Sequence, residues 1–198
     1  MAKATWIGED VVLRIEPKIY GGKASGLKMT KTWSLLSIDE GDRQFRGNDG
    51  YDDVFGVQYS FDQFVPNHRG VWAGHVGVIR DNVHFLGFGT IESVTESLGV
   101  KERHRCPHCG RTGFKARETM NPKFRCSDCK GEFDVTRVEI VEDARLYVAK
   151  FGADWTVLAQ PLSVKENADL YLRNALQHAI RELRSELWVQ RSAGSSGA

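Results

Sequence analysis

Apolar and polar positions alternate in short runs along most of this chain, each run closed by Gly, Asp or Asn. That period of two is the signature of half-buried strands. VVLRI (Val11–Ile15) is the first candidate. VGVIRDNVHFLGFGTI (Val76–Ile91) predicts a hairpin turning near Asp81-Asn82, in which Gly87 and Gly89 suit a bulged or closely packed strand. TRVEIV, ARLYVAKF and WTVLAQ follow further along. Six or more short strands with few helices predict a mainly β chain with some α, an α+β fold built on a small barrel or sandwich.

The period changes near the C-terminus. Ser163 and Glu166 make an S-x-x-E capping box, and Leu172, Leu176, Ala179/Ile180, Leu183 and Leu187 recur at helical spacing. This predicts one long helix over 164–191, its apolar stripe covering the barrel or a dimer partner. The last residues, SAGSSGA (192–198), have linker or tag composition. Segment 17–50 is rich in Gly, Lys and Ser and shows little periodicity, so it reads either as a loop lying along a ligand or as a plain surface excursion.

Composition adds bounds. A chain of 198 residues has room for one large domain or two small ones. With 27 Lys+Arg against 26 Asp+Glu the net charge is only +1, so a nucleic-acid surface has to come from local clustering. No apolar run approaches the roughly 20 residues needed to span a bilayer. The start, MAKATWIGED, lacks the apolar core of a secretory signal, and the expected compartment is the cytoplasm.

Clustering is found in one place. Cys106, Cys109, Cys126 and Cys129 are all the cysteines of the chain, and they form two C-x-x-C pairs separated by 16 residues. That spacing fits two knuckles completing a tetrahedral S4 zinc site. With every coordination position filled by sulfur, such a zinc is structural. Four thiols in one segment of a chain without an export signal point to metal more than to disulfides. Residues 101–130 also carry nine Lys/Arg against three acids, a local charge of +6. Arg105, Arg111, Lys115, Arg117, Lys123 and Arg125 are the candidate phosphate contacts, although small ribbons are also basic merely because they are nearly all surface.

A second informative stretch, Tyr51 to His75, sets six aromatics beside Asp62, Asn67 and His68. Aromatic faces can stack on an extruded base while a carboxylate accepts from its exocyclic amine. The same residues also suit a core, since Tyr59 and Phe61 share one strand face with Val57.

The order Y-S-F-D-x-x-V-P-N-H (Tyr59–His68), then G-F-G-T-I-E (Gly87–Glu92), then K-E-R-H-R-C-P-H-C and R-C-S-D-C resembles the N-terminal specificity region of McrA-like, modification-dependent HNH restriction endonucleases. Those regions are similar to the PUA-like superfamily of small β-barrels, which includes SRA, EVE, ASCH and YTH domains. N-A-L-Q-H-A-I-R-E-L (Asn174–Leu183) looks like the helix leading into the nuclease domain of such enzymes. The resemblance spans roughly residues 50–190. It departs at Gly74-His75, where many relatives carry Gly-Asp, and in having no HNH signature. No E-x-K follows Asp134 and Glu139, and no G-x-S-x-G occurs, so no other hydrolase motif takes its place.

The resemblance implies a PUA-like barrel begun by residues 1–100, a zinc ribbon inserted at 101–133, remaining barrel strands at 134–163, and then the helix. It implies a non-enzymatic module of a restriction system that reads double-stranded DNA carrying a modified base, 5-methylcytosine or a related cytosine, by base flipping. Tyr59, Phe61 and Trp72 are then expected to stack on the base, with Asp62 accepting from its amine and Asn67 shaping the backbone. A nuclease domain or subunit and a second copy of the chain are candidate partners. An RNA-binding PUA-like protein, a zinc-ribbon protein-interaction module and an enzyme with an unrecognised site are the alternatives.

Overall fold

The architecture is that of a computed structural model covering residues 30–38, 52–117, 119–173 and 178–195. Val11–Ile15 and most of segment 17–50 lie outside the described residues. The strands are β1 (Thr32–Leu36), β2 (Gln58–Asp62), β3 (Val76–Arg80), β4 (His84–Arg105), β5 (Phe114–Ala116), β6 (Phe124–Cys126), β7 (Glu132–Phe133), β8 (Arg137–Phe151), β9 (Thr156–Ser163) and β10 (Ile180–Leu183). One helix, α1, spans Ser185–Ser195. The mainly β expectation with a C-terminal helix holds at this level.

The large sheet runs β10-β1-β3-β4-β8-β2, with β9 paired to β4. It is mixed, because β1 lies parallel to β3 while the other pairs are antiparallel. Its inner face gathers Trp33, Leu35, Phe61, Ile79, Ile91, Phe151 and Ile180 into one core, so the sheet curls until both edge strands share it. Among the described residues no ladder joins β2 to β10, so the expected closed barrel is not formed by them and the sheet is curled. Side chains bridge the gap: Tyr59 Oη donates to Leu36 O at 3.3 Å and Asn67 Nδ2 to Ile180 O at 2.8 Å.

The expected hairpin is β3–β4. Asp81 Oδ1 accepts from the backbone N–H groups of Val83 and His84 at 2.6 and 2.5 Å, closing the turn. Gly87 is required by packing, since a Cβ there would lie 2.7 Å from the Trp155 ring and 2.8 Å from Thr156 O.

Two expectations are corrected. Segment 17–50 contains β1, which is a central strand and no loop: Thr32, Trp33, Ser34 and Leu35 are all buried between β10 and β3. Burial on both faces removes the alternation that marks a half-buried strand. Residues 164–191 are not one helix. Ser163 Oγ does accept from Glu166 N at 3.3 Å, but it caps a turn that leads into a short 3-10 stretch at Ala168–Leu170. Ile180 and Leu183 then bury on opposite faces of β10, Ile180 in the inner core and Leu183 in the outer one. Their spacing of three reads as a helix turn in sequence and as two faces of an edge strand in the fold. The helix begins only at Ser185 and continues through Ser192 to Ser195, into the stretch with linker composition. It is held by Trp188, buried with its ring centroid 5.5 Å from those of both Phe85 and Phe88. Among the described residues no helix is long and apolar enough to cross a membrane.

Candidate metal centre and nucleic-acid interface

Strands β4 and β8 outrun the sheet. Their ladder continues from Ile91↔Phe151 to Arg105↔Arg137, making a two-stranded arm that carries residues 106–136 at its end. From Ser97 to Arg105 the arm advances roughly 26 Å at about 3.3 Å per residue.

At the end, two knuckles repeat the same backbone solution. Gly110 N donates to Cys106 O at 2.9 Å with Gly110 at φ 72°, and Lys130 N donates to Cys126 O at 3.1 Å with Lys130 at φ 63°. Each turn folds its two cysteines toward one point. Cys106 and Cys129 Sγ lie 3.7 Å apart, Cys109 and Cys126 Sγ 3.6 Å apart, and all four atoms fall within 4.8 Å of one another. A tetrahedral S4 zinc with bonds of about 2.3 Å requires S···S edges of about 3.8 Å. The donor set therefore fits that ion. Without a metal the four thiols share their protons unevenly: the Cys129 backbone N–H, chiefly, brings the Cys126 thiol down to about 7, while at Cys109 the Arg111 backbone N–H is outweighed by desolvation and the other three thiols, which push that thiol up to about 12.

The ribbon also has a core of its own, which its composition does not announce. Phe114, Phe124 and Phe133, one from each strand of the β5-β6-β7 sheet, pack with ring centroids 5.3 to 5.6 Å apart against the buried Cys106 and Cys126.

The basic charge is smaller than the 101–130 window suggests. The arm and ribbon together span 97–146, with eleven Lys/Arg against eight acids, a net of +3. Arg105 binds Glu139 Oε2 through both Nε and an Nη at 2.6 Å, and Arg117 binds Glu132 at 2.7 Å and Pro122 O. Those two arginines hold the ribbon together. Arg111 and Arg125 are exposed and face Asp128 at 3.2 Å and Glu132 at 3.9 Å. Surface pairs of this kind contribute only about 0–1 kcal/mol, so a phosphate displaces the carboxylate at little cost. Lys123 is exposed; the Lys115 side chain lies outside what is described.

The five base-contact candidates do not converge. Tyr59 and Phe61 are buried, and Phe61 stacks between Tyr59 and Tyr147 at centroid distances of 5.9 and 5.2 Å. Their faces are taken by the core; Phe61 only borders a cleft of about 390 Å³ with Ser60, Lys101 and Tyr147. Asp62 accepts from Phe64 N at 2.7 Å and pairs with Lys101 Nζ at 3.6 Å, the two side chains being 2% and 8% exposed. Lys101 belongs by sequence to the ribbon's basic window; the fold turns it inward at the root of the arm, a contact 39 positions from Asp62 that no local pattern announces. Asn67, at φ 68°, borders a different cavity of about 320 Å³. Trp72 is 41% exposed, and its indole N–H is anchored on Arg69 O at 2.7 Å.

Comparison with protein-family models, curated proteins and solved structures finds no match to this chain.

Proposed function

We propose that this chain is a non-enzymatic DNA-binding specificity module of a modification-dependent restriction system, reading a modified base in duplex DNA, 5-methylcytosine or a related cytosine. The observation that carries it is the arm: a cysteine-knuckle ribbon, net positive, held some 26 Å beyond the curled sheet by two continuous strands. The resemblance of the Tyr59–His68 and cysteine motifs supplies the modified base, the nuclease partner and the PUA-like kinship.

The metal is a structural zinc held by Cys106, Cys109, Cys126 and Cys129. Bound there it supplies the cross-link that a ribbon with only three phenylalanines in its core needs to stay folded. Arg111, Lys123 and Arg125 lie on phosphates and orient the duplex without reading sequence. Trp72, the exposed member of the three aromatic candidates, is the stacking residue, and stacking of a base on an aromatic side chain is worth about 1–3 kcal/mol. Extrusion costs a few kcal/mol, and burying a methyl group returns only about 0.8 kcal/mol, so discrimination between modified and plain cytosine depends on the fit around the base as well.

A titration at fixed salt against matched duplexes, unmodified, cytosine-methylated, hydroxymethylated or adenine-methylated, with an RNA of the same sequence, tests the reading. Preference for one cytosine modification is expected. Equal, salt-sensitive binding to all duplexes removes the modified base from the proposal, and preference for RNA replaces it with the RNA-binding alternative.

One observation favours a second reading, a protein-contact role. The arm exposes Leu98, Val100, Val138 and Ile140 along its length. A stable dimer in light scattering that Val100→Glu dissolves, together with absent nucleic-acid binding, is the outcome that role requires.

A further inference from the structure

The neck of the arm, just before the cysteine ribbon, has two unlike faces. Residues paired across an antiparallel ladder share a face, and the faces alternate along each strand. The register Arg103↔Glu139 and Arg105↔Arg137 therefore sets three arginines and one acid on one side. Glu102↔Ile140 and His104↔Val138 set an acid, a histidine and two exposed apolar side chains on the other. Toward the sheet the arginine side begins with Lys101, whose charge Asp62 already faces at 3.6 Å.

The one carboxylate among the three arginines is engaged. Glu139 Oε2 accepts from Arg105 Nε and an Nη at 2.6 Å, and Arg103 Nη1 lies 3.6 Å from the same oxygen. Arg103 is also fixed by stacking, its guanidinium 3.9 Å from the centroid of the Phe64 ring. Burial first, and then the charge of Arg105, lowers the pKa of Arg103, so positive charge is crowded here even with Glu139 in place. Arg137 is exposed, and among the described residues no carboxylate lies within ion-pair distance of it. Like charges directly opposite on neighbouring strands are destabilising, so the Arg105↔Arg137 pair strains the ladder until an anion neutralises it.

A ribbon of two strands is narrow enough to enter the major groove of DNA. The other side of the neck argues against that seat, because Glu102 would then face the phosphates of the far wall. A single phosphate backbone running along the arginine side meets an excess of positive charge and leaves Glu102 in water. We propose that the neck is a phosphate clamp, in which Arg137 donates to a backbone phosphate of the bound nucleic acid while Arg103 and Arg105, held by Glu139, supply the surrounding positive field. The clamp rests on the DNA-binding reading and adds to it a contact on the arm itself, outside the two cysteine pairs.

The test measures affinity of the intact protein for modified and unmodified duplexes, and for an RNA of the same sequence, over a range of salt concentrations. Arg137→Gln is expected to make the slope of log affinity against log salt shallower by about 0.9 and to weaken binding roughly eightfold at about 0.1 M salt, equally for modified and plain duplex. Arg137→Lys keeps the charge and is expected to keep the slope. Thermal melting at low salt distinguishes the clamp from a structural role: Arg137→Gln relieves the pair with Arg105 and is expected to melt no lower than wild type, whereas a lower Tm makes Arg137 a structural residue and overturns the proposal. Weakening confined to duplexes with one particular flanking base places Arg137 on a base edge and overturns the phosphate assignment. Wild-type binding that Arg137→Gln leaves unchanged in slope and affinity removes the clamp and leaves the DNA reading standing; a wild type that binds neither duplex nor RNA overturns both.

Discussion

Asp62→Asn separates a structural carboxylate from a base-reading one. The substitution is nearly isosteric and keeps the acceptor for Phe64 N, which Asp62 Oδ1 holds at 2.7 Å. It removes the charge that faces Lys101, 3.6 Å away at a site where the two side chains are 2% and 8% exposed, and that acts more weakly on Arg103. Taking away the carboxylate that faces an ammonium in so buried a place costs about 3–5 kcal/mol. For a chain of this size each kcal/mol lowers Tm by roughly 2–4 °C, so the variant is expected to melt roughly 6–20 °C below wild type. Urea unfolding of wild type, Asp62→Asn, Lys101→Met and the double variant forms a cycle that isolates the pair. The double variant, with neither charge and the Phe64 bond intact, is expected to recover most of the loss, because removing both ions of a buried pair is often nearly neutral. Preference for modified over plain duplex, per folded molecule, is expected to survive in Asp62→Asn. A loss below about 1 kcal/mol, the value of a surface pair, would refute the burial argument. Unchanged stability with lost discrimination would return Asp62 to the base.

Chelating the metal, or replacing Cys126 with Ser, is expected to unfold the β5-β6-β7 ribbon while leaving the Trp33–Phe151 core intact; amide exchange resolved along the chain reports both, and a protected ribbon without metal contradicts the cross-link role. Replacing Arg111 and Arg125 with Gln is expected to make the slope of log affinity against log salt shallower by about 1.8, at about 0.9 for each phosphate no longer neutralised, with no change in base preference; an unchanged slope takes both off the phosphates. Asp154 is held below the usual carboxylate range, first by the Thr90 hydroxyl at 2.6 Å and then by Thr90 N–H against some desolvation. Its folded pKa being depressed, its contribution is fully present above the unfolded value and disappears as pH falls through the folded one. The stability gap between wild type and Asp154→Asn is therefore expected to be widest near neutrality and to close in acid, and a gap independent of pH would exclude the ionised hydrogen bond.

The sequence by itself determined what depends on neighbours in the chain. Two C-x-x-C knuckles need only a few residues each to aim their thiols, with Gly110 or Lys130 at positive φ closing the turn, so the four-cysteine cluster was readable from spacing. The β3–β4 hairpin was legible for the same reason, since Asp81 and the alternating residues around it specify both turn and faces. Tertiary structure decided everything that depends on which surface a segment meets. β1 lost its alternation because it is covered on both sides, and Ile180 and Leu183 copied a helical period because an edge strand buried them on opposite faces. Tyr59 and Phe61 had the composition of a stacking platform, yet the curl of the sheet closed over them; Trp72, of the same chemistry, stayed 41% exposed. Charge followed the same rule. Asp62 meets Lys101, Arg105 meets Glu139, and Arg181 meets no carboxylate among the described residues, because pairing is fixed by the strand register and the curl of the sheet, which local sequence does not carry.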